Sequence, residues 1–276
     1  MTHITASPNP IANKLDVWLA QHIGTTRKWV VVVTGSGGKT TTIEHLAGHW
    51  KQQGHSVLIS TTTRMALPKD HIYPVDRVVV IQSGLEHVVK SSGNEIVLYG
   101  VQQGEKLGYA GEPWLQKSAD TFDRVILEAD GARSLPLKIH TDRDPVIPSY
   151  GHAVIAVMGL SALDKRLDDS VMFECARYRR MTGDTATHVT TTVYRELLKH
   201  PEGVLKGCGN LPTLVCCNQS DAIVPSRIPK FMHDLCDDWS QRACTVLCCS
   251  WLAGTLELES TSDGLNRARG VEYESF

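Results

Sequence analysis

The residues best equipped for chemistry stand together in the run Trp29 to Thr42, WVVVVTGSGGKTTT. A glycine turn followed at once by a lysine and three threonines supplies a cation, hydroxyls and the open N–H groups of a helix start, a set suited to nucleotide phosphates. Gly35, Gly37 and Gly38, with Ser36 among them, let the backbone approach a phosphate with no Cβ in the way. Lys39 offers a point charge to the terminal phosphates and Thr40 a hydroxyl to Mg²⁺, with Thr41 next to it. A second set follows in Phe122 to Gly131, FDRVILEADG, where an apolar run delivers Glu128 and Asp130. Acids at the carboxyl end of a parallel strand hold Mg²⁺ or orient water, and alternation puts these two on one side if the strand continues that far. Between the two sets, Thr61, Thr62, Thr63 and Arg64 end another strand, and Thr62 is a candidate metal ligand; good β propensity alone also explains the threonines.

The elements that must position these groups read as an alternation of strand and helix. Val30 to Val33 is continuously apolar, as in a central parallel strand covered on both faces. Ile43, Leu46, Ala47 and Trp50 then fall at helical spacing, and Gly54 stops that helix. Further strands are expected at Ser56 to Ser60, Arg77 to Ile81, Glu95 to Val101, His152 to Met158, Leu211 to Asp221 and Thr245 to Cys249. Helices are expected at Ile11 to Gln21, Gly84 to Lys90, Pro113 to Ala119, Thr187 to His200, and from Ile228 to Trp239. Gln102 to Tyr109 suggests a hairpin, and Leu163 to Arg180 reads as charged and irregular. The fold class expected is three-layer α/β, P-loop NTPase-like, with a mostly parallel sheet covered by helices on both faces. Residues 1–28 form an extension with a short helix, 29–256 the α/β domain, and 257–276 a polar tail expected to be disordered.

Composition sets the outer limits. With 276 residues, 42% hydrophobic, a sizeable core can be buried. A net charge of −2 leaves no basic excess, so composition points away from nucleic acid and from anionic membranes. No apolar run approaches a membrane span, and MTHITASPNP lacks the pattern of a signal peptide, so a cytoplasmic protein is expected. Eight cysteines without CxxC spacing are expected to be reduced thiols. Cys216-Cys217 and Cys248-Cys249 end two strands, and one thiol of each pair faces the same way if those strands are neighbours; buried packing explains them more simply than a metal or selenium site.

In the commonest phosphate loop a glycine lies six residues before the lysine; here Val33 holds that place, and Gly35 stands four before Lys39. This shorter form resembles the loop of the Mur-type ATP-dependent ligases. More specific is the stretch EADGARSLPLKIHTDRDPVIP, Glu128 to Pro148, which with VTGSGGKTT and STTTRM resembles the YqeC family of selenium-dependent hydroxylase accessory proteins. The resemblance runs from about Trp29 to Asp221. It implies a phosphate-loop NTPase that helps mature selenium-dependent molybdenum hydroxylases, with weight on Lys39, Glu128, Asp130, Gly131, Arg133 and Lys138. Arg133 and Lys138 are cations suited to a triphosphate or to a second anionic substrate, and equally to neutralising the neighbouring acids.

A last candidate is Asn218 to Asp221, NQSD, which resembles the Asn-Lys-x-Asp base-recognition element of GTPases with Gln219 in the lysine's place. The loop type and that missing lysine favour ATP over GTP. Histidines 140, 152, 188 and 200 show no metal-ligand spacing. The function expected is a Mg²⁺-dependent nucleoside-triphosphate-binding or hydrolysing accessory protein. Its client is a selenium-dependent molybdenum hydroxylase or that enzyme's cofactor. A Mur-like ligase or kinase acting on a small acceptor, and a nucleotide-gated scaffold with little hydrolysis, are the alternatives. Nothing in the sequence sets an oligomeric state.

Overall fold

Four successive valines make the axis of the molecule. In a computed structural model, which describes residues 9–25, 28–66, 74–82, 84, 87–237 and 244–261, they lie in strand β1 (Trp29–Gly35), buried throughout. Burying a valine side chain contributes about 1.5 kcal/mol or more, so a strand with none on the surface must be covered on both sides.

Ahead of β1, helix α1 (Pro10–Ile23) opens at Asn9, whose side chain accepts from the N–H groups of Ile11 and Ala12. Its Ile11, Leu15, Trp18 and Leu19 enter the same core as Val31 and Val33, so the helix expected in an extension is packed into the main body. Helix α2 (Lys39–Gln52) follows the glycine turn, and Asp16 of α1 accepts from Trp50 Nε1 at 2.6 Å to lock the two helices together. Then come β2 (Val57–Thr61), β3 (Arg64–Ala66), β4 (Arg77–Ile81), β5 (Ile96–Gln103) and β6 (Lys106–Gly108). The expected hairpin is the antiparallel pair β5 and β6. The helix expected at 84–90 does not form over residues 87–90, and residues 83, 85 and 86 lie outside the described residues.

Helix α3 (Glu112–Ala119) leads to β7 (Arg124–Glu128), which stops at Glu128 and does not carry on to Asp130. After β8 (Leu137–Lys138) and β9 (Ala153–Gly159), the stretch expected to be irregular contains β10 (Met172–Phe173) and helix α4 (Cys175–Thr182). That helix has a short apolar face, Cys175 and Tyr178, and owes its place to Tyr178 being fully buried with its hydroxyl donating to Asp184 at 2.6 Å. Helix α5 (Thr191–Lys199), β11 (Thr213–Asn218) and α6 (Ile228–Cys236) fall within the expected segments, and β12 (Thr245–Ser250) runs one residue past the expected Cys249; Trp239, expected on α6, lies outside the described residues. Strand β13 (Thr255–Thr261) was expected as tail from residue 257 onward; it pairs antiparallel with β12, and residues 262–276 lie outside the described residues.

Among the described residues the sheet has 11 strands in the order β13-β12-β11-β9-β1-β7-β2-β5-β6-β3, with β4 on β5. Every pairing from β12 across to β4 is parallel. Helices α1 and α2 cover one face, α3 to α6 the other, giving the three-layer α/β architecture of P-loop NTPase-like folds. Successive βα units build outward in both directions from β1, and that reversal opens a crevice at the carboxyl ends of the strands.

Candidate functional site

The glycine loop sits in that crevice, and its glycines are required by contact as much as by conformation. Gly37 has φ +75°, and a Cβ there would lie 2.3 Å from the Gly159 backbone and 2.7 Å from the Pro136 carbonyl oxygen. At Gly38, φ +125°, a Cβ would meet Asn218 Nδ2 at 2.1 Å. Three loop N–H groups are already held by the protein: Gly35 donates to Asp130 Oδ2 (2.9 Å), Ser36 to the Val157 carbonyl (2.8 Å) and Gly37 to the Leu135 carbonyl (3.0 Å). The Ser36 hydroxyl donates to the Pro136 carbonyl at 2.9 Å. The open donors lie one step further on. Helix α2 makes its first hydrogen bond from Thr42 N to the Gly38 carbonyl, so the N–H groups of Lys39, Thr40 and Thr41 precede it, at the positive end of the helix dipole.

Lys39 is buried rather than solvated. Its Nζ donates to the Gly35 carbonyl at 2.7 Å and lies 3.2 Å from Asp130 Oδ1 and 3.8 Å from Glu128 Oε1. Burial disfavours its charge, yet Asp130 and Glu128 more than offset this, and its pKa is raised. The two acids behave differently. Glu128 ends β7 opposite Val33 of β1 and Thr61 of β2, and burial, reinforced by Asp130, pushes its carboxyl up to about 7. Asp130 is fully buried; the burial penalty is outweighed by Lys39, Lys138 and His140, and its pKa is lowered.

Beneath the loop lies a network that joins Asp130 to the following segment. Lys138 Nζ donates to Asp130 Oδ2 (2.9 Å), to the Gly131 carbonyl (2.8 Å) and to Asp144 Oδ2, filling all three of its donors. His140, fully buried, places Nδ1 3.3 Å from Asp130 Oδ2 and 3.7 Å from Asp144 Oδ2. Burial works against the Asp144 carboxylate, but His140, Lys138 and Thr141 hold it well below the usual range. Asp130, His140 and Asp144 have ligand atoms within 4.8 Å of one another, and the Lys138 ammonium bonds to both carboxylates there, as a cation would.

The structure therefore sorts the expected site residues. Gly35 to Thr41, Glu128 and Asp130 come together at the sheet edge. Asp130 is closed off beneath the loop, while Glu128 keeps slight exposure and Thr40 is half-buried, so of the expected metal ligands at the loop these two are the more accessible. Thr62 is buried, its hydroxyl donating to the Val146 carbonyl at 2.6 Å, and so braces the loop after His140. Arg133 is exposed with φ +48°, its guanidinium 5.1 Å from the Phe173 ring. Gly131 is exposed and Lys138 is not. Asn218 Nδ2 donates to the Gly37 carbonyl at 2.9 Å, and Asp221 is exposed at the same edge.

His140, Asp144 and Ser250 were missed from the sequence. The signal for the first two was the alternation of charges between Pro136 and Pro145; for Ser250 there was none beyond its place after β12. The cysteines do lie on neighbouring strands: Cys216 and Cys249 face one core with their sulfurs 3.4 Å apart, while Cys217 and Cys248 face the other.

Fold and site together define a class, the three-layer α/β proteins of P-loop NTPase-like architecture. Within it the chain belongs to the YqeC family: the family model described as YqeC protein matches residues 31–176, more than half of the length. The chain is similar to a protein of Escherichia coli (strain K12) named "Uncharacterized protein YqeC", 29% identical over 230 residues, which span 77% of this chain and 87% of that relative. No solved structure gives a significant match. Among the described residues, no helix is long and apolar enough to cross a membrane.

Proposed function

We propose that this chain binds a nucleoside triphosphate with Mg²⁺ at the carboxyl edge of the sheet and hydrolyses it, as an accessory in the maturation of selenium-dependent molybdenum hydroxylases. The observation that carries the nucleotide reading is the start of α2. Three N–H groups precede its first hydrogen bond, and Lys39 lies between the Gly35 carbonyl and two acids. Terminal phosphates take these N–H groups, and Lys39 exchanges the Gly35 carbonyl for a phosphate oxygen. Thr40 and Glu128 hold the ion, which when bound offsets charge on the phosphate oxygens. Water attacking the terminal phosphorus breaks the bond to the bridging oxygen and gives nucleoside diphosphate and phosphate, its proton passing to solvent at the open edge of the site.

The accessory role rests on the resemblance carried by the EADGAR…PLK…DPVIP stretch, and the family match agrees with that resemblance. The ligase or kinase alternative is weakened, because Lys138 has no free donor for an acceptor and only Arg133 of the two cations is open. Thermal unfolding with each nucleoside triphosphate, with and without Mg²⁺, tests the proposal. A ligand at a hundred times its Kd adds about 2.7 kcal/mol of stability. Absence of any Mg²⁺-dependent shift with every triphosphate rules the reading out, and tight binding without turnover favours the scaffold alternative.

A further inference from the structure

Granting that the site takes a nucleotide, we infer that Asp221 selects guanine as its base. Strands β1, β9, β11 and β12 are neighbours in the sheet, so their carboxyl ends line one edge from the glycine loop outward. Asn218, buried at the end of β11, ties that edge together: Nδ2 donates to the Gly37 carbonyl, and Oδ1 accepts from Trp251 N–H at 3.1 Å. Asp221 stands three residues on, in the short 3-10 turn Ser220–Ala222, and so within roughly 10 Å of Asn218. That is about the reach from a phosphate, across a ribose, to a base.

The Asp221 carboxylate is exposed but not left to swing freely. Ser250, at the end of β12, donates its hydroxyl to Oδ1 and is itself held by Ala253 N–H at 3.1 Å. Among the described residues the hydrogen bond from Ser250 is the one interaction of this carboxylate, so Oδ2 stays open. An ionised carboxylate only accepts. Guanine presents two donors side by side, N1–H and the 2-amino group, which one carboxylate can take together. Adenine offers an acceptor at N1 and no donor at C2, so its edge opposes the same group. Within the turn, Ser220 Oγ is buried without a partner among the described residues, as expected where a polar occupant or water belongs.

The missing lysine argued for ATP, but the structure gives Gln219 a different task. At φ +67° its Oε1 accepts from the Ser161 hydroxyl at 2.7 Å, which fastens the turn after β9. Loss of a stem over the ring weakens every base alike; the choice between bases stays with the carboxylate.

Equilibrium titration of the full chain with GTP, ATP and XTP in Mg²⁺, on the parent and on Asp221→Asn, tests this. The parent should bind GTP about tenfold to a hundredfold more tightly than ATP. Asp221→Asn should lose that factor for GTP, hold ATP at least as tightly as the parent does, and gain affinity for XTP, whose 2-oxo group accepts from the new amide. Equal or tighter ATP binding by the parent overturns the inference while leaving the nucleotide reading intact. So does a GTP preference that survives in the variant. If no triphosphate binds the parent, both fall.

Discussion

Asp130 and Lys138 form a buried pair from which the glycine loop is hung: the Asp130 oxygen that takes Lys138 Nζ at 2.9 Å also takes the Gly35 N–H at 2.9 Å. Replacing Lys138 by methionine leaves Asp130 and Asp144 without their shared cation. Breaking one side of a buried ion pair costs about 3–5 kcal/mol, so Lys138→Met should lower the denaturation midpoint by that equivalent. A loss under about 1 kcal/mol in urea unfolding would show that the pair is peripheral.

Glu128 makes stability depend on pH with a definite sign. Its folded-state pKa is about 7 against an ordinary 4.5, so between those values the folded protein holds more protons than the unfolded chain. Its contribution is most favourable below 4.5, falls as pH rises through the window, and is flat above about 7, a drop on the order of 3 kcal/mol. Glu128→Gln removes this dependence. Relative to the parent, the variant should be more stable at pH 8 than at pH 5, and its Mg²⁺-dependent turnover should fall more than its nucleotide affinity. Chemical denaturation of both proteins at the two pH values reads the difference directly, and a constant gap between them contradicts the assignment.

Asn218→Ala should cost about 1–3 kcal/mol, because the Gly37 carbonyl and the Trp251 N–H both lose their partner in a buried setting. Nucleotide affinity should fall with it, since Gly37 and Gly38 lose their brace. Parent-like stability in thermal unfolding would show that water replaces the amide.

Lys39→Met should abolish most of the Mg²⁺-nucleotide increment in unfolding temperature. It should also destabilise the protein without ligand, since Asp130 and Glu128 lose a buried cation. The quantity to read is therefore the ligand-induced increment within each protein. An increment equal to the parent's refutes a role for Lys39 in phosphate binding.

What the sequence made legible follows from how local each signal is. Val30 to Val33, the glycine turn and the α2 stripe of Ile43, Leu46 and Trp50 each declare themselves within a few residues, so the central strand, loop and first covering helix were readable. Strand β13 was not, because alternating Leu and Glu in Thr255–Thr261 look like a polar tail until β12 supplies an edge to pair with. The α4 segment hid behind its arginines, with Cys175 and Tyr178 buried and Met181 half-buried against the same core. At the site, residue types identified Glu128, but the burial of Lys39 and Lys138 and the part played by His140 arise from the fold of Gly131 to Pro148 beneath the loop. Spacing along the chain carries no record of that.

The cysteines offer a practical consequence. Of the eight, seven are buried and Cys236 alone is partly open. Reaction of a thiol needs both exposure and a thiolate, and burial raises the Cys236 thiol's pKa, so a maleimide-type reagent at neutral pH should label that position first but not fast in the native protein, and the rest only as molecules open. The chain thus carries its own unfolding gauge: the slow labelling reports how often the sheet exposes its two cores, without any engineered probe.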